Sequence, residues 1–419
     1  MVIDLGEARD APVVDPPRWS RRRRRTAAAV VAVIALLAAV GAASPVRGGL
    51  VDVTIPVPTG TGFTVDGDAL FLTTPDAAVV DPGERTIAMY RLPEARLAWK
   101  VSLNPGGPLR WMSVVDGMLL VLMETAAIET VAIRTDTGQV LWRRPGWFEP
   151  RAAGTVLMGD YRPGERANRI ESVAVRDGAP RWSLTIPADD TVTSTRGRLV
   201  RWATSGQAWV YDDNTGTELA SAKLPAADPQ SAVQVVGDVL LIAGWDGERP
   251  IVTAYDLDRL ERRWQADVNL ELEFVSGECG QGNLCVSRSP NGVRVLDAAT
   301  GRTRWGVDGW GSMEPLGPYL IAYGLEDPPR VGVLDPANGH EVADFGQWQT
   351  PRLAGPRVLG VRPEPSTNRA WVGWLDADAR RTVVLGVATD VFGCAVAPSA
   401  VVCRRGDGSV GVWAPRRKL

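Results

Sequence analysis

Three features of this 419-residue chain predict an all-β fold of stacked repeats preceded by one membrane-spanning helix. A motif ending in Trp recurs about every 40 residues, a spacing typical of repeat architectures. Hairpin signals separate short runs of alternating hydrophobicity, with no helical pattern between them. A single uncharged apolar stretch directly follows a block of arginines.

The clearest motif copy reads VRVLDAATGRTRW over residues 293–305, with Asp297 eight residues before Trp305. The same step joins Asp256 to Trp264, and Arg91 to Trp99 and Arg134 to Trp142, where Arg holds the Asp place. Asp212 and Asp335 begin copies with Ala220 and Ala343 at the Trp place. The copy ending in Trp182 reads as one with a shortened turn. Alternation before the Asp marks a strand. The Asp can accept backbone N–H groups within a turn, and Gly138, Gly216, Gly301 and Gly339 supply a left-handed residue. The chain then returns as a strand carrying Trp, whose ring can bury a large area against the next repeat.

Each unit carries two further strand-like runs, with hairpin signals at Asp66-Gly67, Asp116-Gly117 and Gly237-Asp238. Four strands per unit is the pattern of a β-propeller blade. Eight such units fit between residues 61 and 388, and a partial unit follows. The run at 50–57 can close the ring by pairing with it. Eight blades is the expected count, one of the weaker units being taken as not separate, with seven and nine left open.

Residues 26–43 (TAAAVVAVIALLAAVGAA) are long enough to cross a hydrocarbon core. Arg21 to Arg25 precede them, and basic flanks stay cytoplasmic. The expected organisation is a basic cytoplasmic tail over 1–25, a signal-anchor helix over 26–46, and an extracytoplasmic propeller over 50–419. The small residues Gly41, Ala42 and Ala43 also suit a cleavage site, but the 25-residue tail is long for a cleaved signal. The four cysteines form two close pairs, Cys279 with Cys285 and Cys394 with Cys403. An even count in an exported chain favours local disulfides over free thiols.

Composition removes several function classes. The net charge of −3 leaves no basic footprint for nucleic acid. One histidine, His340, makes His-based metal sites and Ser-His-Asp triads improbable. Neither a phosphate-binding loop nor a nucleophile elbow occurs.

The Asp-x-x-Thr-Gly-x-x-x-Trp units, best seen at 297–305, resemble the repeats of pyrroloquinoline-quinone (PQQ) alcohol dehydrogenase-like propellers. The resemblance covers nearly all of residues 50–419. It implies a propeller, and it points either to a quinone-dependent dehydrogenase or to a cofactor-free binding propeller. The family's enzymes hold an adjacent cysteine pair against the quinone, and this chain has none. The expected function is therefore non-enzymatic and without cofactor or metal. A membrane-anchored, monomeric propeller would bind a protein or cell-envelope ligand through its loops.

Other residue groups read more simply as structure. Trp371 with Trp374, and Trp305 with Trp310, could form an aromatic platform but fit packing between blades. Asp66 with Asp68, Asp376 with Asp378, and the Gly406-Asp407-Gly408-Ser409 segment read as turn residues.

Overall fold

The computed structural model describes residues 50–416, apart from 59, 75–83, 105–107, 125–126, 152–153, 161–166, 227–232, 271, 281, 289–291, 327–328 and 351–356. The chain divides into two compact units, Met1–Arg47 and Gly48–Leu419. The first lies outside the described residues, and with it the expected tail and the apolar segment at 26–43. Among the described residues no helix is long and apolar enough to cross a membrane.

The second unit folds as nine antiparallel sheets, eight of four strands and one of three. Each is a blade, and in blades one to eight the strands follow one another in sequence from the inner to the outer edge. Blades one to eight span 62–103, 109–145, 147–187, 191–223, 233–266, 273–307, 312–347 and 357–389. The ninth takes its three inner strands from 391–415 and its outer strand from Leu50–Ile55. That first strand pairs along its length with Val410–Pro415, from Leu50 opposite Pro415 to Ile55 opposite Val410. The two ends of the propeller thus share one sheet, as the run at 50–57 suggested.

The expected count of eight is corrected to nine. Every one of the eight units between 61 and 388 is a sheet of its own, and the C-terminal unit becomes a full blade once the N-terminal strand joins it. Blade eight is the three-stranded one. Ahead of it, Gln349 forms an isolated bridge with Val361, each N–H donating to the other's carbonyl at 2.7 and 2.9 Å.

A sheet cannot hide both faces alone, so the core lies between blades. Nine apolar clusters fill nine interfaces, each drawn from two successive blades. The cluster of Leu70, Leu72 and Ala88 with Val402, Val410 and Ile55 joins blade one to blade nine and closes the ring.

The second blade-to-blade device is the repeat motif itself. The indole Nε1–H of Trp99 donates to the Thr135 carbonyl in the next blade's turn at 2.6 Å. Trp142 donates likewise to Val175, Trp182 to Asp213, Trp264 to Ala298 and Trp305 to Pro336, at 2.8–2.9 Å. The turn glycine lies flat on the same ring. A Cβ on Gly138, Gly178, Gly216, Gly301 or Gly339 would fall 2.5–2.9 Å from an indole atom. These glycines have φ of +70 to +74°, so the motif demands glycine for backbone and for space together.

The motif Asp builds the turn. Oδ1 of Asp297 accepts the N–H of Ala299 and of Thr300, at 3.0 and 2.9 Å, and Asp212 and Asp256 each accept two N–H groups likewise. In blade three the Gly178 N–H donates to the Ala174 carbonyl at 2.9 Å, as Gly301 does to Asp297. Ala174 therefore holds the Asp place eight residues before Trp182. The turn has full length, and only the Asp side chain is missing, which is what made it read as shortened.

Both cysteine pairs lie at disulfide distance. Cys279 and Cys285 have Cα atoms 5.5 Å apart, and Cys394 and Cys403 4.1 Å apart. The second pair links the two innermost strands of blade nine, and in blade six Cys279, just past the end of the first strand, meets Cys285 on the second.

Candidate functional site

The connections between strands emerge on two faces of the ring. Hairpins joining the first and second strands, and the motif turns joining the third and fourth, share one face. The Asp68 carbonyl accepts the Leu92 N–H, and the Gly117 carbonyl accepts the Thr135 N–H, across those two kinds of turn. The opposite face carries the links from second to third strand and from blade to blade. There Asn368 accepts from Val391, and Asp390 from Gly406.

The two faces differ in their exposed large apolar side chains. Both faces carry ion pairs: at the links of the opposite face Arg201 binds Asp190 at 2.5 Å, Arg294 binds Glu273 at 2.5 Å and Arg249 lies 3.7 Å from Asp246, and the motif-turn face has pairs of its own. Arg304 binds Asp297 at 2.5 Å, Arg263 binds Asp238 at 2.7 Å, and Arg196 pairs with Glu278. The Arg304 hydrogen bond is the main cause holding the Asp297 carboxyl below its usual range. The Thr215 backbone N–H does the same for Asp212. Asp213 goes the other way, because burial raises it despite Arg151 nearby. Its ion pair with Arg151, at 3.3 Å, is long, and the Arg151 Nε makes no hydrogen bond, so we regard the pair as weak.

The opposite face exposes large apolar side chains. Trp245 is 64 % exposed at the end of the second strand of blade five, beside Asp246 and Gly247. Leu325 occupies the equivalent link in blade seven and is 62 % exposed. Leu272 and Phe274, at the entry to blade six, and Phe392, at the entry to blade nine, are also exposed. Trp111, on the inner strand of blade two, stacks on Phe148 of blade three, with ring centroids 4.5 Å apart. Singly, exposed apolar residues need no explanation. Here the exposed aromatic rings share one face, while Leu97, Leu141 and Leu219 belong to outer strands at the rim and Ile128 starts the third strand of blade two.

Near the same face a cavity of about 360 Å³ opens between the inner strands of blades four, five and six. Val192, Val233, Val235 and Val275 line it with Trp202, Gln234 and two threonines. No lining residue is ionisable.

The residues singled out from sequence are otherwise structural. Trp371 and Trp374 point to opposite sides of one strand, pack into different interfaces, and each carries an arginine, Arg362 and Arg357. Trp310 is buried under Arg330, and Trp305 rests on Gly339. Asp66 accepts the Val114 N–H, Asp68 accepts Ser399, and Asp407 accepts Ser409, so these carboxylates tie turns and blades together. Asp376 accepts the Ala379 N–H, and His340 is exposed in its turn. Among the described residues no three His, Cys, Asp or Glu side chains converge as a metal site. Trp245, Phe274 and the cavity were missed by sequence reasoning. Val192, Val233 and Phe274 follow one another at the repeat period, which is the signal that could have grouped them.

Fold and repeat together define a β-propeller built from PQQ-like repeats. Residues 166–307 match the family model described as outer membrane protein assembly factor BamB. No curated protein matches the chain. Among solved structures it is similar to BamB from Moraxella catarrhalis, at 14 % identity and a TM-score of 0.40, over 87 % of this chain and 99 % of that one. It is also similar to the C-terminal WD40 domain of Sif2, at 10 % identity and a TM-score of 0.44, over 87 % and 99 %. The designed protein Ika8 matches at 15 % identity and a TM-score of 0.44, over 73 % and 96 %.

Proposed function

We propose that this chain is a membrane-anchored scaffold whose propeller lies outside the membrane as a monomer and binds a protein partner through its apolar face. The grouping of Trp245, Leu325, Leu272, Phe274 and Phe392 on one face carries the reading. Aromatic residues are enriched where proteins meet. Among the described residues the motif-turn face exposes no comparable group of large apolar side chains. The family description matched over residues 166–307 names an outer membrane protein assembly factor, which suits a protein-binding role. The arginine block ahead of residues 26–43 supports the anchor and its orientation. Two cysteine pairs at disulfide distance suit an oxidising compartment outside the membrane.

Affinity purification of the tagged full chain from solubilised membranes tests this. A specific protein should copurify with the native chain and be lost from a Trp245→Ser, Leu325→Ser variant that melts normally. It should be retained by an Asp136→Ser, Asn338→Ser variant on the other face. Loss with the second variant and retention with the first would sink the assignment.

A further inference from the structure

Exposed apolar side chains and carboxylates share one sector of the face opposite the motif turns. Trp245, Leu272, Phe274 and Leu325 lie in the links of blades five to seven or at strand ends beside them. Four exposed carboxylates stand in the same links. Glu248 turns between the second and third strands of blade five, and Glu326 lies in the equivalent link of blade seven, next to Leu325. Asp267 and Asp308 lie in the links that enter blades six and seven.

The arginines of this sector are engaged elsewhere. Arg294 binds the buried Glu273 at 2.5 Å. Arg330 binds Glu341 and Asp344 at 2.9 Å each and lies over the Trp310 ring. Arg249 stands 3.7 Å from Asp246, and Arg288 4.0 Å from Glu273. Among the described residues, none of the four link carboxylates is in an ion pair. Apolar seats surrounded by surplus negative charge recognise apolar groups flanked by positive charge. The same surplus repels an anionic lipid surface. Two copies of the chain meeting through this face would set like charges against each other.

We propose that the protein partner presents a basic amphipathic segment to blades five to seven. Its apolar side chains seat on Trp245, Leu272, Phe274 and Leu325. Lys or Arg residues flanking them pair with Glu248, Asp267, Asp308 and Glu326. This inference rests on the reading of the face as a protein-binding surface, and adds the chemistry of what binds there. The apolar seats supply most of the affinity, and the carboxylates select the partner and speed its arrival.

Photocrosslinking from position 245 of the full chain in washed native membranes tests the charge requirement. The first variant carries Glu248→Gln, Asp267→Asn, Asp308→Asn and Glu326→Gln. The second carries Glu94→Gln, Glu218→Gln, Glu261→Gln and Asp378→Asn, which neutralise four exposed carboxylates of the motif-turn face. Both should melt as the native chain does. Protein adduct should fall roughly tenfold in the first variant and stay unchanged in the second. With the native carboxylates in place it should also fall as salt is raised to about 1 M, where screening acts within about 3 Å. Sequencing the adduct should find Lys or Arg close to the crosslinked residue. An adduct yield that survives both neutralisation and salt overturns the inference and leaves the protein-binding reading standing. So does an adduct on a segment without Lys or Arg. Adducts to lipid alone, to a second copy of this chain alone, or none at all overturn the reading and the inference together.

Discussion

A glycine and an indole ring occupy each other's only space at five blade interfaces, and that mutual exclusion explains the motif. Gly301 needs a left-handed backbone, and any Cβ there would fall 2.5 Å from Trp264. Gly301→Ala should therefore cost more than the ~1–2 kcal/mol that a left-handed residue costs alone, and Trp264→Ala about 3–5 kcal/mol. Both are readable by denaturant unfolding. The carboxylates give a pH signature. Asp297, Asp212 and Asp344 all sit below the usual range, chiefly through Arg304, the Thr215 N–H and Arg330 respectively. Each contributes stability that is present above its unfolded value of about 3.9 and lost as pH falls through its lower native value. The thermal midpoint should therefore drop as pH falls from about 4 downward, and Asp297→Asn should make that fall shallower. A midpoint independent of pH in that window would refute the assignment. The Asp, Gly and Trp of the motif were legible in sequence. That each ring packs on the next repeat was legible too, but not that it lands on that repeat's turn glycine, because the two residues lie about 40 positions apart.

Within a blade, one irregularity recurs. The third and fourth strands shift register next to the motif position in blades one to seven, as between Met89 and Tyr90 beside Trp99, and between Val295 and Leu296 beside Trp305. A bulge re-aims a side chain and bends the strand, and here it accompanies the ring that faces the next blade. The Trp-less interface between blades four and five shows the same contact inverted. Ala220 replaces Trp, and Leu260 replaces the turn glycine, with φ of +57°. Leu260 is 4 % exposed and packs in one cluster with Ala220 and Leu257. The volume has moved from one side of the interface to the other. Leu260→Gly should cost about 2–5 kcal/mol by opening a cavity, and Ala220→Trp about 1–3 kcal/mol by overpacking. The double variant should be more stable than their sum by over ~1 kcal/mol. Strict additivity would deny that the two residues share one space. Ala220 was visible in sequence as a missing Trp, but its compensation lies 40 positions on, in a residue type the motif does not contain.

Across the whole molecule, nine similar interfaces and one shared sheet close the ring. Closure was legible at 50–57, since a strand without a repeat of its own precedes a repeat without an outer strand. The count was not, because a unit with an incomplete motif is still a blade when its strands pair and its faces are covered. The division of labour between faces was hidden as well. Exposed rings such as Phe274 look like core residues in a strand until the neighbouring blades are placed. The central claim is that the apolar face holds a protein partner. Site-specific photocrosslinking of the full chain in its native membrane tests it most directly, with the crosslinker at 245 or 325 on one face and at 136 or 338 on the other. Discrete protein adducts from 245 and 325, with none from 136 and 338, is the expected result. Adducts from the motif-turn positions alone, or equally from both faces, would contradict the claim.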